Sequence, residues 1–137
     1  SQSVALAFKD LVNIDEKTLL KLASTFGGGM SRLREVCGAV SGMFMVCGLV
    51  YGYSSDSEPD AKAEHYARIQ ELAKRFAAKN GAIVCRELLG MKPKTEGLAP
   101  DNPVPEARTE QYYKKRPCAE LVADAAEIFA EYYMENL

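Results

Sequence analysis

The chain has 137 residues, 47% of them hydrophobic and 26% charged, with a formal net charge of -2. A chain of this length folds as one domain, 1–137, and buries roughly two thirds of its unfolded surface, enough for a core that needs no covalent staple. The charge balance excludes the electrostatic footprint of a nucleic-acid-binding protein, so a small molecule or another protein is the expected partner.

Periodicity predicts helices over 2–12, 16–26, 30–51, 60–79, 82–89, 106–115 and 117–135, and no strand. Asp15 is a natural N-cap for the second helix, Asn80-Gly81 a stop for the fourth and Gly90 a stop for the short fifth. In the fourth helix Tyr66, Ile69, Leu72, Phe76 and Ala77 follow the spacing of one apolar stripe. In the last, Leu121, Val122, Ala125, Ile128, Phe129, Tyr132 and Tyr133 do the same. The expected architecture is an all-α, single-domain helical bundle around a central glycine-rich apolar helix, 30–51. Residues 36–55 carry no charge and are as long as a membrane span. Their interspersed Gly38, Gly42, Gly48 and Gly52, and the polar faces of the other helices, favour a central core helix with no membrane span. Four of the six prolines fall in 91–105, an aperiodic crossover that reads either as a cover over a site or as an exposed connection that lets the last helix dock.

The chain begins at Ser1, has no methionine before Met30 and carries no secretory signal pattern. Its four cysteines therefore read as reduced thiols, metal ligands or redox groups in the cytoplasm. Gly38 and Gly42, and Gly48 and Gly52, are spaced four apart and clear a strip of helix surface that another backbone or a cofactor can approach. Each costs on the order of 1 kcal/mol relative to alanine in a helix interior. Cys37 and Cys47 cannot serve each other on one continuous helix, because ten residues separate them by roughly 15 Å along the axis and about 80° around it. Partners for Cys37 must come from elsewhere, and Cys85 and Cys118 are the candidates. Cys118 follows Pro117 and the run Lys114-Lys115-Arg116, in a helix first turn where positive charge favours a negative sulfur. Cys85, followed by Arg86 near a helix start, has a milder version of the same setting. Each is equally readable as a small buried hydrophobe.

Phe26-Gly-Gly-Gly-Met30, Cys37-Gly-Ala-Val-Ser-Gly42, Cys85-Arg-Glu-Leu-Leu-Gly90 and Cys118 with Leu121-Val122 resemble the redox-active proteins named for their C_GCAxxG_C_C pattern. The resemblance covers nearly the whole chain and extends to a domain of split-Soret cytochromes to which an iron-sulfur cluster is attributed. It implies that Cys37, Cys85 and Cys118 are three of four family cysteines and that Cys47 is not one. The fourth is expected upstream of Ser1. It further implies an iron-sulfur cluster or other thiophilic metal held by Cys37, Cys85 and Cys118, and electron transfer with a redox partner protein. Gly27, Gly28, Gly29, Gly38 and Gly42 would shape that site.

Two other readings remain open: a metal-free thiol-disulfide protein, and a helical scaffold, dimeric through the glycine-lined helix. Gly27, Gly28 and Gly29 open a helix with Arg32 and Arg34 nearby and could receive an anion, although they match no nucleotide fingerprint. His65, the single histidine, is expected to be structural. No hydrolase arrangement is present. Asp124, Glu127 and Glu131 read as a solvated face, and Met43 and Met45 as core filler rather than copper ligands.

Overall fold

The computed structural model describes residues 1–55 and 58–137, with the backbone alone at 113–115. The fold is all-α, as the periodicity predicts. Its elements are α1 (Gln2–Ala7), a 3-10 turn (Lys9–Leu11), α2 (Glu16–Ser24), α3 (Gly27–Met30), α4 (Gly38–Tyr51), α5 (Pro59–Asn80), α6 (Cys85–Leu88), α7 (Glu110–Lys115) and α8 (Cys118–Glu135).

Local chemistry sets most of the boundaries. Asp15 caps α2, its carboxylate accepting from the Thr18 amide at 2.9 Å and the Thr18 hydroxyl at 2.7 Å. Pro59 opens α5, and Gly81, at φ 90°, closes it in the left-handed conformation that glycine adopts without strain. α4 is apolar all round and takes the centre, packed against α1, α5 and α8, with α8 also meeting α5 and α1. Val40, Met43, Val46 and Cys47 of α4 are fully buried, together with Phe76 of α5 and Phe129 of α8. Tyr66, expected on the α5 stripe, is half exposed under Lys62, so the buried stripe narrows to Leu72 and Phe76 with Ile69 beside them. Asp124 is no merely solvated carboxylate, because Lys79 reaches it at 3.0 Å and helps tie α5 to α8.

Several predicted helices are shorter than their periodicity suggests; the second stops at Ser24 and the fifth, expected over 82–89, is the single turn Cys85–Leu88 after the Val84 bridge. The first ends at Ala7, where Phe8 leaves the helical conformation and sets its ring edge-on against Phe129 with centroids 5.0 Å apart. The sixth starts at Glu110, capped by Thr109, whose hydroxyl accepts from the Tyr112 amide at 3.2 Å. The central helix does not begin at Met30. Met30, Ser31, Arg32 and Arg34 all have positive φ, after Gly28 and Gly29 at φ 68° and 72°. Bulky residues occupy this region only when their surroundings force it. Here the run is held by the Ser31 hydroxyl donating to the Thr25 carbonyl at 2.7 Å and the Glu35 amide donating to Gly29 at 3.0 Å. It ends at Val36, which forms an isolated antiparallel bridge with Val84. Among the described residues no helix is long and apolar enough to cross a membrane.

Candidate functional site

The bridge between Val36 and Val84 positions two of the cysteines. The Cys37 amide donates to the Ile83 carbonyl at 2.8 Å, and the Cys85 amide donates to Glu35 at 2.6 Å, so each cysteine directly follows a bridge residue. Cys37 then becomes the N-cap of α4 and Cys85 the first residue of α6. Cys118 begins α8 immediately after Pro117. Cys37, Cys85 and Cys118 all line one cavity of about 500 Å³. Cys47 does not line it and is fully buried in the core.

The thiols sit in different environments. Cys37 and Cys85 are 8% and 7% exposed, whereas Cys118 is half-buried. Burial pushes the Cys37 thiol up, against the pull of the Val40 and Ala39 amides, and its neighbours Cys85 and Cys118 push it the same way. Those amides form no regular capping hydrogen bond with the sulfur. Arg34, only 4% exposed, donates from Nη1 toward Cys85 Sγ at 3.7 Å. The side chains of Lys114 and Lys115, part of the basic run read before Cys118, lie outside the described residues.

Gly29 explains its own presence. A Cβ there would lie 2.5 Å from Cys85 Cβ and 2.9 Å from Arg34 Cα, so only glycine lets the loop pass the thiol. The strip beside Gly38 and Gly42 is filled by backbone. A Cβ on Gly38 would meet the Phe26 carbonyl oxygen at 2.8 Å and the Ser1 nitrogen at 3.3 Å, and one on Gly42 would meet the Ser1 carbonyl oxygen at 2.7 Å. These glycines seat the start of the chain against α4, and Ser1 with it lines the cavity.

Sequence reasoning pointed to Arg32 and Arg34 but missed their partner. Both reach Asp101 of the crossover, Arg34 Nη2 at 2.9 Å and Arg32 Nη2 at 3.2 Å, and the Asp101 amide donates to the Arg32 carbonyl at 2.9 Å. Pro103 and Pro105 of the same crossover line the cavity, while most of 92–105 is exposed. A contact spanning 67 residues leaves no local signature in the sequence. His65 lies apart, in a recess with Tyr53, Ser54 and Ser55, its ring edge-on to Tyr53 at 6.1 Å. Burial pushes its pKa down, and its Nδ1 has no hydrogen-bond partner among the described residues.

Three soft sulfur donors around one cavity suit a thiophilic group in donor chemistry. Among the described residues, however, no three His, Cys, Asp or Glu side chains are grouped so as to hold a metal ion. No curated protein and no solved structure matches the chain significantly. The pattern of one family, described as "Putative redox-active protein (C_GCAxxG_C_C)", matches residues 1–132. With Cys37, Cys85 and Cys118 gathered around one cavity and the match running over residues 1–132, the chain belongs to the C_GCAxxG_C_C family.

Proposed function

We propose that this is an electron-transfer protein of the cytoplasm whose Cys37, Cys85 and Cys118 hold an iron-sulfur cluster or another thiophilic metal for a redox partner protein. The observation that carries the reading is the shared cavity: three cysteines from three segments line it while the fourth cysteine of the chain does not. A cysteine preceding Ser1 would complete a four-thiolate set, since the Ser1 nitrogen lies within electrostatic range of Cys37 and Cys118. The bound group would supply reversible one-electron chemistry. The chain itself contributes sulfur donors and the Arg34 charge beside Cys85. A buried and electrically unfavoured Cys37 thiolate gains a reason to ionise when a cation shares the cavity.

The test is iron, zinc and acid-labile sulfide analysis, with an ultraviolet-visible spectrum, on anaerobically purified protein including any residues that precede Ser1. Iron with acid-labile sulfide, bound in wild type and absent from Cys118→Ser, supports the reading; zinc alone, which is redox-inactive, or full metal retention by that variant overturns it. A second reading, reversible thiol-disulfide chemistry, rests on the same gathering of Cys37, Cys85 and Cys118 around one cavity, all of them free thiols. It predicts a metal-free protein whose mass falls by two hydrogen atoms when an added oxidant takes up the two electrons, and recovers on reduction.

A further inference from the structure

The cavity that Cys37, Cys85 and Cys118 line is also lined by positive charge, in a chain whose net charge is -2. Four arginines line it, in two pairs, one sharing a carboxylate and the other sharing an aromatic ring. Arg32 and Arg34 share Asp101. Arg108 and Arg116 both stack on the Tyr112 ring, with guanidinium carbons 4.7 and 5.6 Å from its centroid, and only Arg116 reaches Glu106, at 2.6 Å. Four positive charges thus face two carboxylates, and among the described residues Arg108 reaches neither.

The second pair is the informative one. Like charges brought to one aromatic ring repel, and the repulsion is relieved when an anion binds between or beside them. Arg108 donates to the Tyr112 hydroxyl at 2.6 Å, which fixes its guanidinium while leaving its other N–H donors available to a ligand. The cavity volume, about 500 Å³, lies in the usual range of small-molecule sites, roughly 300–1,000 Å³.

We infer that this cavity, which Cys37, Cys85 and Cys118 also line, takes a small dianion, a dicarboxylate or an inorganic oxyanion, held by Arg108 and Arg116. This inference rests on the reading of the cavity as the working site, and it assigns the ligand class that shares the cavity with the thiols. Glu106 competes with the ligand for Arg116 and so sets its affinity. Arg32 and Arg34, committed to Asp101 and Cys85, contribute background potential rather than direct contacts.

The experiment is isothermal titration of succinate, inorganic sulfate and inorganic phosphate, each at constant ionic strength, into the anaerobically purified full chain, with metal and sulfide measured on the same samples. Saturable binding of at least one probe is expected, and Arg108→Gln with Arg116→Gln should weaken it by at least about tenfold, the usual worth of a charge-assisted contact. Glu106→Gln should tighten it, a change that a folding defect cannot produce. Absence of saturable binding, or equal affinity in the double variant, overturns the inference and leaves the metal reading standing. Loss of metal from the double variant without anion binding by wild type also overturns it, because the arginines would then only balance the cofactor's charge. Anion binding that persists in Cys118→Ser, alongside metal loss, supports both readings separately.

Discussion

Arg34 Nη1 stands 3.7 Å from Cys85 Sγ, and Gly29 makes that approach possible. An alanine at 29 would need its Cβ 2.5 Å from Cys85 Cβ, in backbone at φ 72°. Gly90 has a similar φ, 68°, but open space where a Cβ would go. The two glycines therefore separate strain from crowding.

Gly29→Ala is expected to destabilise the fold by about 2–4 kcal/mol, strain and overpacking together, and to displace Cys85. Gly90→Ala should lose only the conformational part, about 1–2 kcal/mol, and leave the thiol in place. Urea unfolding measures the first difference. Alkylation of Cys85 in the folded variants, read by peptide mass, measures the second. Equal losses in the two variants would mean that the loop does not press on Cys85.

The same Arg34 connects the thiol to the crossover through Asp101. Arg34, helped by the Asn102 amide, holds the Asp101 carboxyl below its ordinary value of 3.8. A lowered folded-state value gives stability that is present above the unfolded value and disappears as the pH falls through the folded one. Asp101→Asn should therefore be less stable than wild type at neutral pH, and the difference should fade below about pH 4. At neutral pH the variant should also be cut faster by protease within 91–105. A pH-independent difference would assign its effect to something other than the clasp.

The glycines on α4 separate in the same way. Gly42→Ala drives a Cβ to 2.7 Å from the Ser1 carbonyl oxygen and should lose about 1–3 kcal/mol as the start of the chain is pushed off the helix. At Gly48 nothing lies within 4 Å, so alanine there should stabilise by about 0.5–1 kcal/mol through helix propensity alone. Denaturant midpoints decide it. A destabilised Gly48→Ala would reveal a close approach at that face, as from a second copy of the chain.

These contrasts also show what could be read from the sequence. The Asp15 cap, the Gly81 stop and the α8 stripe are local, since each depends on residues within a turn or two of one another, and the structure keeps them. The start of α4 was not readable, because apolar periodicity continues through Leu33 and Val36 while the backbone is turned left-handed by long-range contacts. The separation of Cys37 from Cys47 was argued from one continuous helix, whereas Cys37 only caps α4; the structure places Cys37 at the cavity and Cys47 in the core. Spacing could not show that Arg34 and Asp101, 67 positions apart, would meet beside Cys85. The glycine strip was legible as a place of close approach only at Gly38 and Gly42, where its occupant is the backbone of Ser1, Phe26 and Gly27; Gly48 faces open space and Gly52 lies past the end of α4.

Cys47 gives the sharpest separation of packing from chemistry. It is fully buried in α4, outside the cavity, and burial pushes its thiol up from 9.0 to about 11. Between those values the unfolded chain releases the proton and the folded chain keeps it, so stability from this group is full below pH 9 and declines as the pH rises to about 11. Wild type should lose stability across that window more steeply than Cys47→Ala, measured by urea unfolding at each pH. At neutral pH Cys47→Ala should cost about 1–2 kcal/mol as a core truncation and leave any bound metal unchanged. Alkylation of metal-free, folded wild type should proceed fastest at half-buried Cys118, more slowly at Cys37 and Cys85, and at Cys47 only on unfolding. Early modification of Cys47, or loss of metal on its replacement, would place it in the site rather than in the core.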